Sequence, residues 1–273
     1  MSGRQKRRCW AEAVSPCRGK LSREHPFTRA SFTSGTVDFV NVVGPGAGTT
    51  RLNIDAVTVR CLCEGHNNEL SAVDQAGVDF FNCIRRQEEL LSLRRRQPDR
   101  RWSWHTLCVD GKGVERWLMK TALNLSYLRR EQVVGWEPPT SMAEAVFALR
   151  DLPSGAGLAS FGVVGGSLLM GDYVVFQFLW TGAGELAGVL AVLLGYPFVI
   201  AWDRPVRSLF PLDFGAGVVP AERVVQPICN LQVAGESGRG PNLRVRLDYS
   251  GRWREQDHPR VVELRGRYAP PGR

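Results

Sequence analysis

Apolar residues recur along this chain with two different periods. Leu70, Val73, Gly77, Phe80 and Ile84 are spaced by three and four, which places them on one side of a helix. Ser71 with Asp74 offers an N-terminal capping pair for it. The pattern extends through residues 90–93, after which an Arg run and Pro98 end it. A second helix is predicted over residues 114–128, with Val114, Trp117, Leu118, Thr121 and Leu125 as its apolar stripe. From residue 158 onward the period shortens to runs of strand length, rich in Val, Leu and Phe and punctuated by Gly: LASFGVVGGSLLM, DYVVFQFLW, LAGVLAVLL, YPFVIAW, NLQVAG and LRVRLDYSG. Turn formers bound each run, which predicts an antiparallel β-rich region. Residues 186–202 have about the length of a short membrane span, but Gly188, Gly195 and Pro197 interrupt them. Two buried strands joined by a Gly-Tyr-Pro turn account for the segment better.

At 273 residues and 44% apolar, the chain is long enough to bury a core. Neither a G-X-Y period nor a sustained heptad is present, so fibrous architectures are excluded. The net charge of +8 is unevenly placed. Residues 1–30 carry eight Lys or Arg against two Glu, and residues 85–101 carry seven Arg against three acids. A basic surface confined to two segments is a footprint for a polyanion, because neutralised phosphates release counterions; the plainer reading is a solvated face with a basic tail. The start of the chain, MSGRQKRRCW, is basic with no apolar run behind it, so no secretory signal is expected. Seven Cys form no dense disulfide framework, and a reducing, cytoplasmic setting follows as the expectation.

The chemistry-bearing residues concentrate in the first quarter. Cys9 and Cys17 lie in a polar loop, followed by Arg23-Glu24-His25-Pro26-Phe27 and then by Arg60-Cys61-Leu62-Cys63-Glu64-Gly65-His66-Asn67-Asn68, which runs into the Ser71 helix. Cys63-x-x-His66 has the spacing for two ligands to converge on one tetrahedral ion, and Cys9 with Cys17 completes a Cys3His zinc site. Cys61 competes with Cys63, since in a strand both would share a face.

In this order, a Cys pair, an acid-His dipeptide and a C-x-x-[C/H]-N knuckle opening a helix, the sequence resembles the HNH endonucleases, whose core is a ββα-metal finger. The resemblance covers about residues 9–85. It implies that His25 is the general base that takes a proton from the attacking water, a task suited to an imidazole. It implies that Glu24 and Asn67 hold a catalytic Mg²⁺ against the scissile phosphate, and that Cys9, Cys17, Cys63 and His66 hold a separate structural Zn²⁺. The chain departs from the family in four places. The first knuckle is C-x7-C rather than C-x2-C, so its loop must bulge or another ligand must serve. Glu24 replaces the usual Asp. Thr58 stands about where a His-orienting Asn is expected, with Asn53 and Asn41 poorly spaced for that role. No Lys follows the Asn67 turn.

The other candidates have plain readings. Cys83, Cys108 and Cys229 lack partners at ligand spacing, His105 packs among Trp102 and Trp104, and His258 sits in a polar loop. Packing is also the commoner use of Trp102 and Trp104, although beside Arg94 to Arg101 they have the pattern of a base-stacking surface. Gly44-Pro45-Gly46-Ala47-Gly48 lacks the following Lys-Ser/Thr of a phosphate loop and reads as a hairpin tip. Gly162 to Gly166 reads as a strand kink. The expected architecture is α+β: an HNH-like zinc finger with a basic N-terminus over residues 1–96, a helical connector over 97–137, a β-rich domain over 138–268 and a disordered tail over 269–273. Two functions follow from it. One is metal-dependent hydrolysis of phosphodiester bonds in DNA or RNA. The other is a non-catalytic zinc module that binds nucleic acid or a protein, with a protein partner for the β-rich domain; neither needs a membrane.

Overall fold

The periodic stretches fold into helices at the centre of the molecule, with sheets on either side. A computed structural model describes residues 8–32, 35–41, 48–96, 105–128, 136–160, 173–181, 183–193, 196–209, 228–232, 243–249 and 261–262. Helix α1 (Glu64–Glu69) leads into the long α2 (Ser71–Arg96), and α3 (Gly111–Leu128) and α4 (Thr140–Val146) follow. The expected Ser71/Asp74 cap does not form. The Asp74 N–H donates to the Leu70 carbonyl and the Ser71 hydroxyl to that of Asn68, so α2 continues almost directly from α1 and has no isolated N-terminus to cap.

One sheet contains β1 (Thr36–Asn41), β2 (Gly48–Asn53), β4 (Gly157–Ser160), β5 (Tyr173–Trp180), β6 (Leu186–Leu193) and β7 (Tyr196–Ala201), in the order β2-β1-β5-β6-β7-β4. The other contains β3 (His105–Asp110), β8 (Ile228–Gln232), β9 (Leu243–Asp248) and β10 (Val261–Val262), in the order β10-β3-β9-β8. Most pairs are antiparallel, as the strand pattern predicts. The segment over 186–202 becomes the antiparallel pair β6 and β7, with Val189 opposite Ile200. Among the described residues no helix is long and apolar enough to cross a membrane.

The divisions expected at residues 96 and 138 do not coincide with the pairing. Strand β1 runs parallel to β5, and β3 runs parallel to β9, so each sheet joins the front of the chain to its back. Pro139 is the N-cap of α4, which packs on α3. One apolar cluster includes Phe27 and Phe32 from the front loop, Phe80 and Phe81 from α2, Trp117 from α3, and Phe176 and Phe198 from the sheet. Phe27 stacks edge-on against Phe176 with centroids 5.8 Å apart, which pins the front segment to β5.

Helix α3 touches both sheets and is buried nearly all round from Gly113 to Ser126. Its polar residues therefore need partners inside the protein. Glu115 accepts the Leu158 N–H at 2.8 Å, Asn124 accepts the Trp10 indole N–H at 3.0 Å, and the Lys120 ammonium meets two carboxylates described below. Gly77 explains its place on the apolar face of α2: a Cβ there would lie 2.5 Å from the Trp117 ring. Gly77→Ala is expected to lower stability by about 1–3 kcal/mol through overpacking, despite the gain in helix propensity. Urea unfolding checks the sign; a stabilised variant would show that α2 and α3 separate freely.

Candidate metal centre and its surroundings

Two short segments build the centre. Residues 21–24 pair antiparallel with 59–63 through the bridges Leu21 to Cys63 and Glu24 to Val59. Ahead of them, the chain turns tightly after Cys9: the Glu12 N–H donates to the Cys9 carbonyl, and the Val14 and Ser15 N–H groups donate to that of Ala11. This turn is the bulge that C-x7-C required, and it folds Cys17 back toward Cys9.

The ligand atoms of Cys9, Cys17, Cys63 and His66 all lie within 4.8 Å of one another. His66 Nδ1 is 3.3 Å from Cys9 Sγ and 3.2 Å from Cys63 Sγ. Bond lengths to a tetrahedral zinc place such S and N atoms about 3.6 Å apart, so the spacing is of the right order. The other imidazole nitrogen, Nε2, lies 2.7 Å from the Ser15 hydroxyl, which fixes the ring with Nδ1 toward the sulfurs. The Phe147 ring stands edge-on to the imidazole at 5.5 Å. Cys63 begins α1, its sulfur accepting the His66 N–H at 3.5 Å, and the Cys63 N–H in turn donates to Cys9 Sγ at 3.3 Å. Burial raises the Cys9 thiol, and burial together with the Cys9 and Cys63 sulfurs pushes Cys17 up to about 12. For Cys63 burial is outweighed by N–H groups of His66 and Arg18, and its thiol is lowered. Three clustered sulfurs, one of them with its thiol lowered, beside an imidazole nitrogen are a donor set for a soft divalent cation. The four residues are positioned to hold a metal ion, and the set is consistent with zinc.

Cys61 is not among these residues. It is fully buried, its thiol donates to Asn124 Oδ1 at 3.1 Å, and burial drives its pKa far upward. The shared face expected for Cys61 and Cys63 requires a continuous strand, but the chain bends at Leu62 and enters α1 after Cys63. Cys83 is buried as well, pushed up to about 12 by its surroundings.

Glu24 turns inward from the ribbon and is 7% exposed. Its Oε1 accepts from Lys120 Nζ at 3.2 Å, and the same ammonium lies 2.7 Å from Asp74 Oδ2. Asp74 Oδ1 accepts from the Thr28 hydroxyl at 3.1 Å, and Thr28 accepts the Trp117 indole N–H at 3.0 Å. Burial raises the Glu24 carboxyl; Lys120 opposes the shift and Asp74 adds to it. His25, the next residue, is half-buried, and its Nδ1 is shielded from solvent without a hydrogen-bond partner. Asn67 is half-buried in α1, where its N–H donates to the Cys63 carbonyl. No hydrogen bond links Glu24, His25 and Asn67 to one another among the described residues. The Lys120 partner of Glu24, and the Asp74 and Thr28 side chains linked to it in turn, are not evident in the sequence, which offers Asp74 only as a cap.

His105 lies in β3 and Cys229 in β8. Trp102, Trp104, His258, Gly162 to Gly166 and residues 269–273 lie outside the described residues. No protein-family model, no curated protein and no solved structure matches the chain.

Proposed function

We propose that this chain is a zinc-organised finger protein that binds nucleic acid without hydrolysing it, on a scaffold similar to that of the HNH endonucleases. The observation that carries this reading is Lys120. A magnesium ion takes hard oxygen ligands and keeps several waters. At Glu24, the carboxylate assigned to that ion by the HNH likeness, a buried ammonium 3.2 Å away already balances the charge, and the residue has almost no access to water. Glu24 therefore does not fit the role of a magnesium ligand. The Cys3His set does fit zinc, and it organises the fold by tying the turn after Cys9 to the start of α1. The nucleic-acid half of the proposal rests on the two basic segments.

The test combines three measurements on the purified full chain. Elemental analysis is expected to give about one zinc per chain, duplex DNA binding is expected to weaken steeply with added salt, and plasmid DNA in Mg²⁺ or Mn²⁺ is expected to stay intact. Cleavage by the natural chain that His25→Ala abolishes, with fold and zinc content preserved, would overturn this reading. It would favour metal-dependent hydrolysis with His25 as base, and Glu24→Gln and Asn67→Ala would then test those two as holders of Mg²⁺. Loss of all nucleic-acid binding alongside intact zinc content would instead favour a protein partner.

A further inference from the structure

We infer that Arg23 and Arg60, flanking His25 on the outer face of the two-stranded ribbon, form a phosphate subsite for the nucleic-acid backbone. The inference rests on the nucleic-acid reading above and assigns it a location. In the bridge between Glu24 and Val59 each residue's N–H donates to the other's carbonyl at 2.8 Å, so the two are directly opposed. Antiparallel register then sets His25 opposite Thr58, and because the Leu21 to Cys63 bridge is offset by one residue, Arg23 stands across from a bulge formed by Arg60 and Cys61. Side chains alternate across a ribbon. Glu24 and Val59 face the core, and Arg23, His25, Thr58 and Arg60 face outward; the burial agrees, with Arg23 and Arg60 exposed and His25 and Thr58 half-buried.

Facing residues of a regular ribbon have Cβ atoms about 4.5–5.5 Å apart, and across the bulge two long arginine side chains still reach a single phosphate. Guanidinium is the side chain whose donors match phosphate oxygens in pairs. Elsewhere in the finger the cations are paired: Arg18 with Glu69, Lys20 with Glu64, and Arg29 with Asp55. Neither Arg23 nor Arg60 has an acidic or hydrogen-bonding partner among the described residues. Asp55, the acid whose charge His25 influences, is already neutralised by Arg29. The ribbon therefore presents two unopposed positive charges beside an imidazole. The imidazole turns its Nδ1 away from solvent, so an anion of phosphate geometry on this face meets the two guanidinium forks, with Thr58 as a further hydroxyl.

The experiment measures binding of a labelled DNA duplex and of a single-stranded RNA to the full chain as salt is varied. The natural protein, Arg23→Ala, Arg60→Ala, the double variant and Arg204→Ala are compared. Arg204, paired with Asp203 and Glu185 next to β6 and β7, serves as the control matched in charge to each single variant. The double variant is expected to bind about tenfold or more weakly near 0.1 M salt. Its plot of log affinity against log salt is expected to be shallower by about the counterions of two phosphates. Arg23→Lys with Arg60→Lys should recover the slope but only part of the affinity. Both arginines are exposed and unpaired, so zinc content and helical signal should not change. If the natural chain binds and the double variant matches Arg204→Ala, the subsite is wrong and the nucleic-acid reading stands. If the natural chain binds neither probe, both fall.

Discussion

Lys120→Met is expected to destabilise the protein by about 3–5 kcal/mol, because it leaves the Glu24 carboxylate buried without its counter-charge. That is a large part of the roughly 5–15 kcal/mol that holds a typical domain folded. The two carboxylates will not contribute equally. The Asp74 side chain is 26% exposed and keeps its Thr28 donor, so water and a hydroxyl compensate it; the Glu24 side chain is 9% exposed and its Oε2 is already unsatisfied. The loss should therefore depend on pH. Burial already raises the folded-state pKa of Glu24, and removing Lys120 removes the interaction that opposes that shift. A carboxyl raised on folding takes up a proton when the chain folds, so stability falls as pH rises from the unfolded pKa through the folded one. The variant should approach the natural protein near pH 4 and fall behind it by pH 8. Urea unfolding at the two pH values measures this, and adding Glu24→Gln to Lys120→Met should return part of the loss. A pH-independent deficit would show that Lys120 acts only by packing its methylene stem.

The same residue shows where sequence reasoning stopped. The metal ligands were legible because Cys63-x-x-His66 carries its geometry locally, within one helical turn, and because sulfur and imidazole are few in this chain. Helices α2 and α3 and the strands β4 to β9 were legible from their periods, whereas α4 and the strand β3, which lies within the expected helical connector over 97–137, were not. Lys120 stands 96 positions from Glu24, on a helix whose apolar stripe does not include it. Periodicity assumes that a helix has a wet face. Helix α3 has almost none, so its polar residues became internal connectors: Lys120 to Glu24 and Asp74, Asn124 to Trp10 and Cys61. Cys61 was ambiguous for the same reason, since its partner Asn124 is supplied by the distant helix. The parallel pairings of β1 with β5 and β3 with β9 were also out of reach. An alternating pattern says which face of a strand is buried but not which strand lies beside it.

Cys63→Ser and Cys61→Ser, two changes of one sulfur each at neighbouring positions, are expected to give opposite results in metal content. Cys63→Ser removes a ligand, weakens the cap that receives the His66 N–H, and deprives Cys9 and His66 of a common ion. Binding free energy at a structural zinc centre of this type is about 10–16 kcal/mol near neutral pH. Losing it exceeds what the remaining core of a marginally stable chain supplies. Phe27, which follows the ribbon directly, is wedged against Phe176 of β5, so unravelling is expected to pass from the finger into the sheet. Cys61→Ser leaves all four ligands in place and offers Asn124 a hydroxyl in place of a thiol. It should keep full zinc content and cost about 1–3 kcal/mol for placing a more polar group in a fully buried site. Elemental analysis and thermal unfolding, with and without a chelator, separate the two. A chelator should lower the melting temperature of the natural chain and of Cys61→Ser, while Cys63→Ser, already metal-free, should show no cooperative transition with or without it. If Cys61→Ser lost the metal while Cys63→Ser retained it, the bend at Leu62 would have to reverse, and with it the direction in which the ribbon presents Arg23, His25 and Arg60.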